Sequence, residues 1–150
     1  MCFWKNLAKF VGMKQSIDFL PERKQRDLHE LVGLIRDEVK DVVMIILYGS
    51  YARNTYVELD IRRDYGGGKI QYMSDYDILV VSKKRLGSRT VTVSSRVKSS
   101  FLKNKNADTQ TRPQIINESI TKFNNALSEG RYFYVDILTE GIVLYDSGEC

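Results

Sequence analysis

The sequence predicts an α/β (α+β) domain in which a mixed β-sheet is flanked by helices. Two short apolar runs, VVMIILY at 42–48 and DILVV at 77–81, are typical of strands that are buried on both faces. Segments with the apolar spacing of helices precede and follow these runs. Strands that alternate with helices indicate a layered sheet domain, and no repeat or linker divides the chain.

The first 20 residues are predicted to form a helical arm that precedes the main domain at 21–150. The opening MCFWKNLAKFVGMKQ is amphipathic when it is drawn as a helix. Lys5 and Lys9 interrupt its apolar stretch, which argues against a signal peptide. A packing role is favoured over a membrane anchor, and no apolar run approaches the roughly 20 residues that span a bilayer.

A helix is predicted from Pro21 to Lys40, because proline suits the first turn of a helix and aliphatic residues then recur at helical spacing. The strand at 42–48 follows directly. It ends at Gly49 and Ser50, which are turn and N-cap residue types, and a second, short helix is expected after them.

The segment at 56–73, YVELDIRRDYGGGKIQYM, interrupts this pattern. Two half-polar arms flank three consecutive glycines, which predicts a hairpin or a flexible loop inserted before the 77–81 strand.

The second half of the chain is predicted to alternate in the same way. We expect a helix at 89–103, a strand at 113–117 and a helix at 119–128 that is capped by Gly130. A final pair of elements occupies 133–146, and the YVDIL within it is strand-like in composition.

Composition limits the chemistry. The chain has 150 residues, 43% of them hydrophobic and 28% charged, which is typical of one globular domain. Cys2 and Cys150 have no metal-type spacing, and a cytoplasmic, disulfide-free protein is predicted. His29 is the only histidine, so a mechanism built on several histidines is excluded and any metal would be held chiefly by oxygen ligands.

The formal charge of +4 is unevenly placed. The stretch at 82–107 holds eight basic residues and no acidic one. It could contact phosphates of a nucleic acid, or it could be a solvated helix face and loop. Phe101 is the only aromatic residue there, so stacking partners for bases are few and the solvated interpretation is favoured.

The motif SDYDILVV places two carboxylates at the start of a buried strand. Because alternate side chains of a strand share a face, Asp75 and Asp77 project together and repel unless a proton or a cation intervenes. A hard divalent cation such as Mg²⁺ or Mn²⁺ fits such a pair. The alternative is that Ser74 and Asp75 form only a turn, with Asp77 exposed at a strand end.

The motif LYGSYAR ends the other apolar strand. Gly49 permits close approach of a ligand, and the Ser50 hydroxyl is suited to phosphate oxygens. Arg53, one turn later, would add a phosphate contact. The alternative is a turn that only caps a helix. Together with the aspartate pair, the motif indicates a nucleoside triphosphate site.

GSYAR followed by SDYDILVV resembles the signature of the nucleotidyltransferase superfamily, which includes DNA polymerase β and the kanamycin nucleotidyltransferases. The chain is most similar, over about 31–147, to the minimal nucleotidyltransferase domains that accompany or are fused to helical HEPN domains in toxin–antitoxin systems. The resemblance implies transfer of a nucleoside monophosphate from ATP or another NTP, with Mg²⁺, to an acceptor hydroxyl. It further implies that Gly49 and Ser50 bind phosphates, and that Asp75 and Asp77 are catalytic and hold the metal.

The sequence departs from this family at two points. The insertion at 56–73 separates the two motifs and could form a flap over the site. The family usually supplies a third carboxylate from a later strand, and the corresponding position lies near Gln114, a neutral amide that cannot act as a base. Glu118 and Asp136 are the nearby candidates for the third ligand.

Several functions remain open at this point. The acceptor of an active enzyme could be a hydroxyl on a HEPN partner protein, or a small molecule such as an aminoglycoside. A nucleotide-binding or partner-binding module that keeps the fold without turnover is the main alternative. The resemblance also leads us to expect that the natural protein continues beyond Cys150 into a HEPN-like domain.

Overall fold

A computed structural model describes residues 2–63 and 65–150 of the chain. The helices of this described part are α1 (Phe3–Val11), α2 (Glu22–Glu38), α3 (Gly49–Arg53), α4 (Arg89–Leu102), α5 (Ile120–Ser128) and α6 (Tyr132–Glu140). Its strands are β1 (Val42–Tyr48), β2 (Asp60–Arg63), β3 (Lys69–Tyr72), β4 (Tyr76–Ser82), β5 (Pro113–Ser119) and β6 (Ile142–Asp146).

Four of these strands form one mixed sheet in the order β5-β4-β1-β6. β1 pairs antiparallel with β4 and β6, whereas β4 and β5 are parallel. The central strands β1 and β4 are buried almost throughout, which explains why their sequences are continuously apolar. The predicted mixed sheet flanked by helices is confirmed.

Helices cover both faces of the sheet and form two cores. One face packs against α2 and α4, and its core includes Leu31 and Tyr76. The other face packs against α1, α5 and α6, and its core includes Leu79 and Phe123. Because side chains alternate along a strand, Asp77 shares the Leu79 face while Tyr76 points to the opposite side.

The insertion predicted at 56–73 contains an antiparallel hairpin of β2 and β3. Hydrogen bonds between its two ends close its base: the Ser74 N–H donates to the Val57 carbonyl at 2.9 Å, and the Val57 N–H donates to Ser74 Oγ at 2.9 Å. Tyr65 and Tyr72 of the hairpin are exposed. The hairpin therefore begins and ends beside the aspartate motif.

The N-terminal helix α1 packs against α5 and α6. Trp4 is buried in that core, and its backbone N–H donates to Asn124 Oδ1 at 2.9 Å. Lys5 Nζ donates to the Gly148 carbonyl at 2.8 Å. The helix ends at Val11, so only the first half of the predicted 1–20 arm is helical. This helix is a packing element of the domain. Among the described residues, we find no helix with the length and apolar character needed to cross a membrane.

Cys2 and Cys150 lie side by side as free thiols. Burial, and then the hydrogen bond to Cys150, raise the pKa of the Cys2 thiol to about 11. The thiol is therefore protonated at neutral pH, and a protonated thiol is a poor nucleophile.

One segment differs from the sequence-based prediction. YVDIL, which is strand-like in composition, lies within the helix α6. Its aromatic and β-branched residues favour a strand, but Tyr134, Ile137 and Leu138 recur at helical spacing and pack together in one core. The spacing of the apolar residues, rather than their type, was the informative signal.

Two glycine-to-alanine substitutions test this packing in opposite directions. A Cβ on Gly141 would collide with the Ile137 carbonyl and come within 2.8 Å of Ile46 Cγ2, so we expect Gly141→Ala to lower the free energy of unfolding by about 1–3 kcal/mol. Gly33, in α2, has open space around it, so Gly33→Ala should raise the free energy by about 0.5–1 kcal/mol. Urea unfolding measures both; equal effects of one sign would contradict the packing described.

Candidate functional site

The two motifs meet at one end of the sheet. β1 ends at Tyr48, β4 begins at Tyr76, and the antiparallel pairing places Tyr48 directly opposite Asp77. The Gly49–Ser50 turn after β1 and the Asp75–Asp77 pair at the start of β4 therefore lie next to each other. The structure brings together the residues that the two motifs suggested separately.

Gly49 is required at this point by the aspartate that it faces. Its φ is +74°, in the left-handed region that favours glycine. A Cβ at this position would collide with Asp77 Oδ2 and lie 3.2 Å from Asp77 Cγ. The space left by the missing side chain is thus occupied by a carboxylate, whereas the sequence had suggested only the approach of a ligand.

Ser50 lies in the first turn of α3 and is not its N-cap, contrary to the sequence-based prediction. The helix begins one residue earlier, at Gly49, with Tyr48 as the N-cap. The Ser50 carbonyl accepts the Thr55 N–H at 2.8 Å and so helps to close this short helix. Ser50 itself is partly exposed, beside the aspartate pair.

Asp75 and Asp77 interact electrostatically. Asp75 is exposed and Asp77 is half-buried. Burial raises the pKa of the Asp77 carboxyl above its ordinary value, the charge of Asp75 raises it further, and Arg53 opposes both effects. The pair therefore carries an electrostatic cost that a proton or a bound cation would relieve.

Arg53 lies on the side of the site that the sequence predicted. Its positive charge acts on the Asp77 carboxyl and lowers the pKa of that group. Its Nη1 is 3.1 Å from Glu140 Oε2, and both side chains are about half-exposed. Glu140 is the last residue of α6 and was not suggested by either motif. It holds Arg53 at the rim of the site, where a stronger anion can compete for the guanidinium.

Gln114 is the direct partner of Asp77 in the parallel pairing of β4 with β5. An exposed amide therefore stands beside the aspartate pair. This arrangement leaves the site with two carboxylates and one neutral side chain.

Of the other two candidate ligands, Glu118 lies away from the aspartate pair. Glu118 is four residues further along β5 than Gln114, about 13 Å at the usual rise of a strand. It is buried, with Arg85 Nε at 3.9 Å and Lys122 Nζ at 4.0 Å. Asp136 is exposed on α6. Within residues 2–63 and 65–150, no group of three His, Cys, Asp or Glu side chains is arranged to hold a metal.

Tyr48 is a further side chain at the site that the motif analysis did not single out. Burial, and then the charge of Asp77, raise the pKa of its hydroxyl to about 12. Phe133 of α6 packs edge-on against its ring, with the centroids 5.9 Å apart. Tyr48 is therefore a neutral hydrogen-bonding group next to the carboxylates at physiological pH.

The basic stretch at 82–107 begins at the opposite end of β4 from Asp77. Half of its eight cations form ion pairs, and these pairs are Lys83–Glu149, Arg85–Glu118, Arg96–Glu38 and Lys105–Glu30. The pairing reduces the positive charge available to a nucleic acid, which favours a solvated helix face and loop.

Comparison with known proteins gave one structural neighbour. No protein-family model matches the chain, and no curated protein matches it. Among solved structures, the chain is similar to one described as "a putative nucleotidyltransferase from Sulfolobus solfataricus", with 15% identity, a TM-score of 0.45, and coverage of 85% of this chain and 87% of that one.

Gly49→Ala tests the contact between the glycine and Asp77. Gly87, with φ +60° and no atom within 4 Å of a built Cβ, is the matched control for backbone strain alone. We expect Gly87→Ala to cost about 1–2 kcal/mol of unfolding free energy. Gly49→Ala should cost about 1–3 kcal/mol more, because the new methyl group displaces the carboxylate. Equal losses in urea unfolding would show that Asp77 does not occupy this space.

Asp77→Asn should make stability less dependent on pH. A carboxyl with a raised pKa in the folded state contributes stability below its unfolded pKa and loses it as pH rises through the folded pKa. We therefore expect the variant to be more stable than the wild type at pH 7, with the difference shrinking towards pH 3. Urea unfolding at both pH values measures this, with the exposed Asp37→Asn of α2 as control. A variant that is less stable at pH 7 would contradict the account.

Proposed function

We propose that this protein is a nucleotidyltransferase that transfers a nucleoside monophosphate from ATP, or from another NTP, to an acceptor hydroxyl. The observation that carries the proposal is the contact of the Asp77 carboxylate, paired with Asp75, against the left-handed Gly49 turn. Acidic side chains that repel each other beside a Gly-Ser turn suit a site for a cation and a polyphosphate.

The side chains present fit one divalent cation. Asp75 and Asp77 would hold it, since Mg²⁺ and Mn²⁺ are commonly bound by one or two carboxylates together with substrate phosphates. With an amide at Gln114, the pair supplies less negative charge than a site for two cations needs. When bound, the cation would offset the charge of the triphosphate and polarise the phosphoryl group under attack.

Other side chains would bind and orient the triphosphate. The Ser50 hydroxyl can donate a hydrogen bond to a phosphate oxygen, and so can the neutral hydroxyl of Tyr48. Arg53 can transfer its guanidinium from Glu140 to a phosphate, because this ion pair is half-exposed and correspondingly weak. These groups would place the α-phosphorus beside the aspartate pair.

The reaction forms one bond and breaks one. The acceptor oxygen bonds to the α-phosphorus while the bond to the pyrophosphate oxygen breaks, and pyrophosphate leaves with both bonding electrons. The proton of the acceptor hydroxyl must pass to a base, and Gln114 cannot accept it. Asp75 and Asp77 cannot accept it while they hold the cation, so the proton passes to solvent water.

We propose a protein as the acceptor, of the HEPN type that the sequence resemblance suggests. The hairpin joins the domain at Ser74, next to the aspartates, and exposes Ile61 and Tyr72. Such side chains suit a protein surface better than a highly polar small molecule such as an aminoglycoside. The cytoplasmic location predicted from the sequence remains part of this proposal.

A binding module without turnover is the second candidate. The neutral Gln114 beside Asp77 favours it, since the site then keeps a place for a cation and a nucleotide but has less capacity to activate a hydroxyl.

Labelled ATP separates these candidates. The protein is incubated with Mg²⁺ and either α- or γ-labelled ATP, together with a HEPN-domain protein or an aminoglycoside, and binding is measured in parallel by calorimetry. We expect the α-label alone to reach the HEPN protein, with a loss of at least about 100-fold in Asp77→Asn and none in Asp37→Asn, in the range found when one group essential to transition-state charge is removed.

The other outcomes have distinct meanings. Metal-dependent ATP binding without transfer to either acceptor would support the module. Transfer of the γ-label would indicate phosphoryl transfer instead. Neither binding nor transfer would contradict both candidates.

A further inference from the structure

Lys24 is a buried cation on the face of the sheet opposite to Asp77. Only 3% of the residue is exposed. Its Nζ lies 5.2 Å from the centroid of the Tyr51 ring, 5.7 Å from that of Tyr56 and 5.9 Å from that of Tyr76. Three aromatic rings therefore surround one ammonium group.

Two features of this position are unfavourable for a lysine. It lies in the first turn of α2, at the positive end of the helix dipole, and its ammonium group is removed from water. The compensation comes from the faces of the three rings, from Thr111 Oγ1 at 3.1 Å and from Glu58 Oε1 at 3.5 Å. An apolar residue would fill the same volume without these costs, so stability alone does not account for the lysine.

The three tyrosines come from the three segments that meet at the candidate site. Tyr51 follows the Gly49–Ser50 turn by one residue. Tyr76 stands between the two aspartates. Tyr56 stacks on Tyr51, with centroids 4.2 Å apart and the planes 10° from parallel, and it begins the hairpin segment. One ammonium group thus contacts a tyrosine of the LYGSYAR motif, a tyrosine of the SDYDILVV motif and a tyrosine at the base of the hairpin.

Hydrogen bonds of the Tyr76 and Tyr51 hydroxyl groups hold the same rings in place. The Tyr76 hydroxyl donates to Asp27 Oδ2 at 2.7 Å, and Gln110 Nε2 donates to the same oxygen at 3.0 Å. The Tyr51 hydroxyl shares a hydrogen bond of 3.0 Å with Thr111 Oγ1, which is also the acceptor for Lys24. The ammonium group therefore belongs to the Tyr51–Thr111 part of these hydrogen bonds and meets Tyr76 only over its ring.

We propose that Lys24 is a positioning residue for the nucleotide site, an inference whose consequence for activity rests on the proposed function. Its ammonium group contacts both the Tyr51 and the Tyr76 ring, and these rings also pack against each other with their centroids 4.6 Å apart. Since the backbone of Tyr51 continues the Gly49–Ser50 turn and that of Tyr76 joins the two aspartates, Lys24 reinforces the spacing between the two halves of the site that the pairing of β1 with β4 sets. It acts through these rings and does not touch the nucleotide.

Lys24→Met tests the proposal, because methionine keeps the length of the side chain and removes the charge. Amide hydrogen exchange should accelerate together in 49–53 and 74–77, by about tenfold, the effect of losing one cation–aromatic contact. Exchange in α5 should not change. Affinity for Mg²⁺·ATP should fall by a similar factor, and Lys24→Arg should recover part of both effects.

Phe123→Leu is the matched control, since it perturbs the core on the other face of the sheet. It should lower thermal stability without accelerating exchange in 49–53 or 74–77. If Lys24→Met does not fold, Glu58→Gln serves instead, because Glu58 is an exposed partner of the ammonium group. Replacing Glu58 should accelerate amide exchange in 49–53 and 74–77 to a smaller extent.

If a folded variant shows unchanged amide exchange in both 49–53 and 74–77, the proposal is overturned, whether or not the affinity for Mg²⁺·ATP changes. Unchanged nucleotide affinity despite faster exchange would overturn it as well, since the spacing would then not matter to the site. A wild-type protein that binds no Mg²⁺·ATP would contradict the proposed function, while the exchange measurement would still decide whether Lys24 couples the two segments.

Discussion

The antiparallel pairing of β1 with β4, in the register that sets Tyr48 opposite Asp77, is the constraint on which the site depends. Both strands are buried on both faces, so a slip of one residue would turn a carboxylate into the core and an apolar side chain out of it. The register brings the end of one motif to the start of the other. The close approach at Gly49 follows from it, because the glycine is the first residue beyond the paired strand.

Two charged groups that are costly to bury lie on opposite faces of the sheet, near the start of β4. On one face, burial and the charge of Asp75 disfavour the ionised form of Asp77. On the other face, Lys24 is removed from water among three tyrosine rings. Natural proteins accept such local costs mainly where a function requires them, and groups with strongly perturbed environments are concentrated at functional sites. The two faces are joined through Tyr76, whose backbone lies between the aspartates and whose ring contacts the lysine.

The strongest predictions from the sequence concerned features with a local signal. The strand at 42–48 is recognisable as a continuous apolar run. Gln114 was named only through the family resemblance, and its place beside Asp77 comes from the structure. YVDIL was misleading because its residue types favour a strand while its spacing favours a helix. The contact of Glu140 with Arg53 and the contacts of Lys24 with three tyrosine rings join residues far apart in the chain. No local sequence pattern predicts them.

In the arrangement that we propose, a cation binds between Asp75 and Asp77 while a nucleotide phosphate lies against the Gly49–Ser50 turn. The most direct test is NMR of the isotope-labelled protein with a non-hydrolysable ATP analogue, titrated with substoichiometric Mn²⁺, whose paramagnetism broadens nearby signals. We predict that the amide signals of 49–50 and 75–77 and the side-chain amide of Gln114 broaden first, while those around Glu118 stay sharp. Broadening that begins elsewhere, or that spreads evenly over the surface acids, would contradict the account.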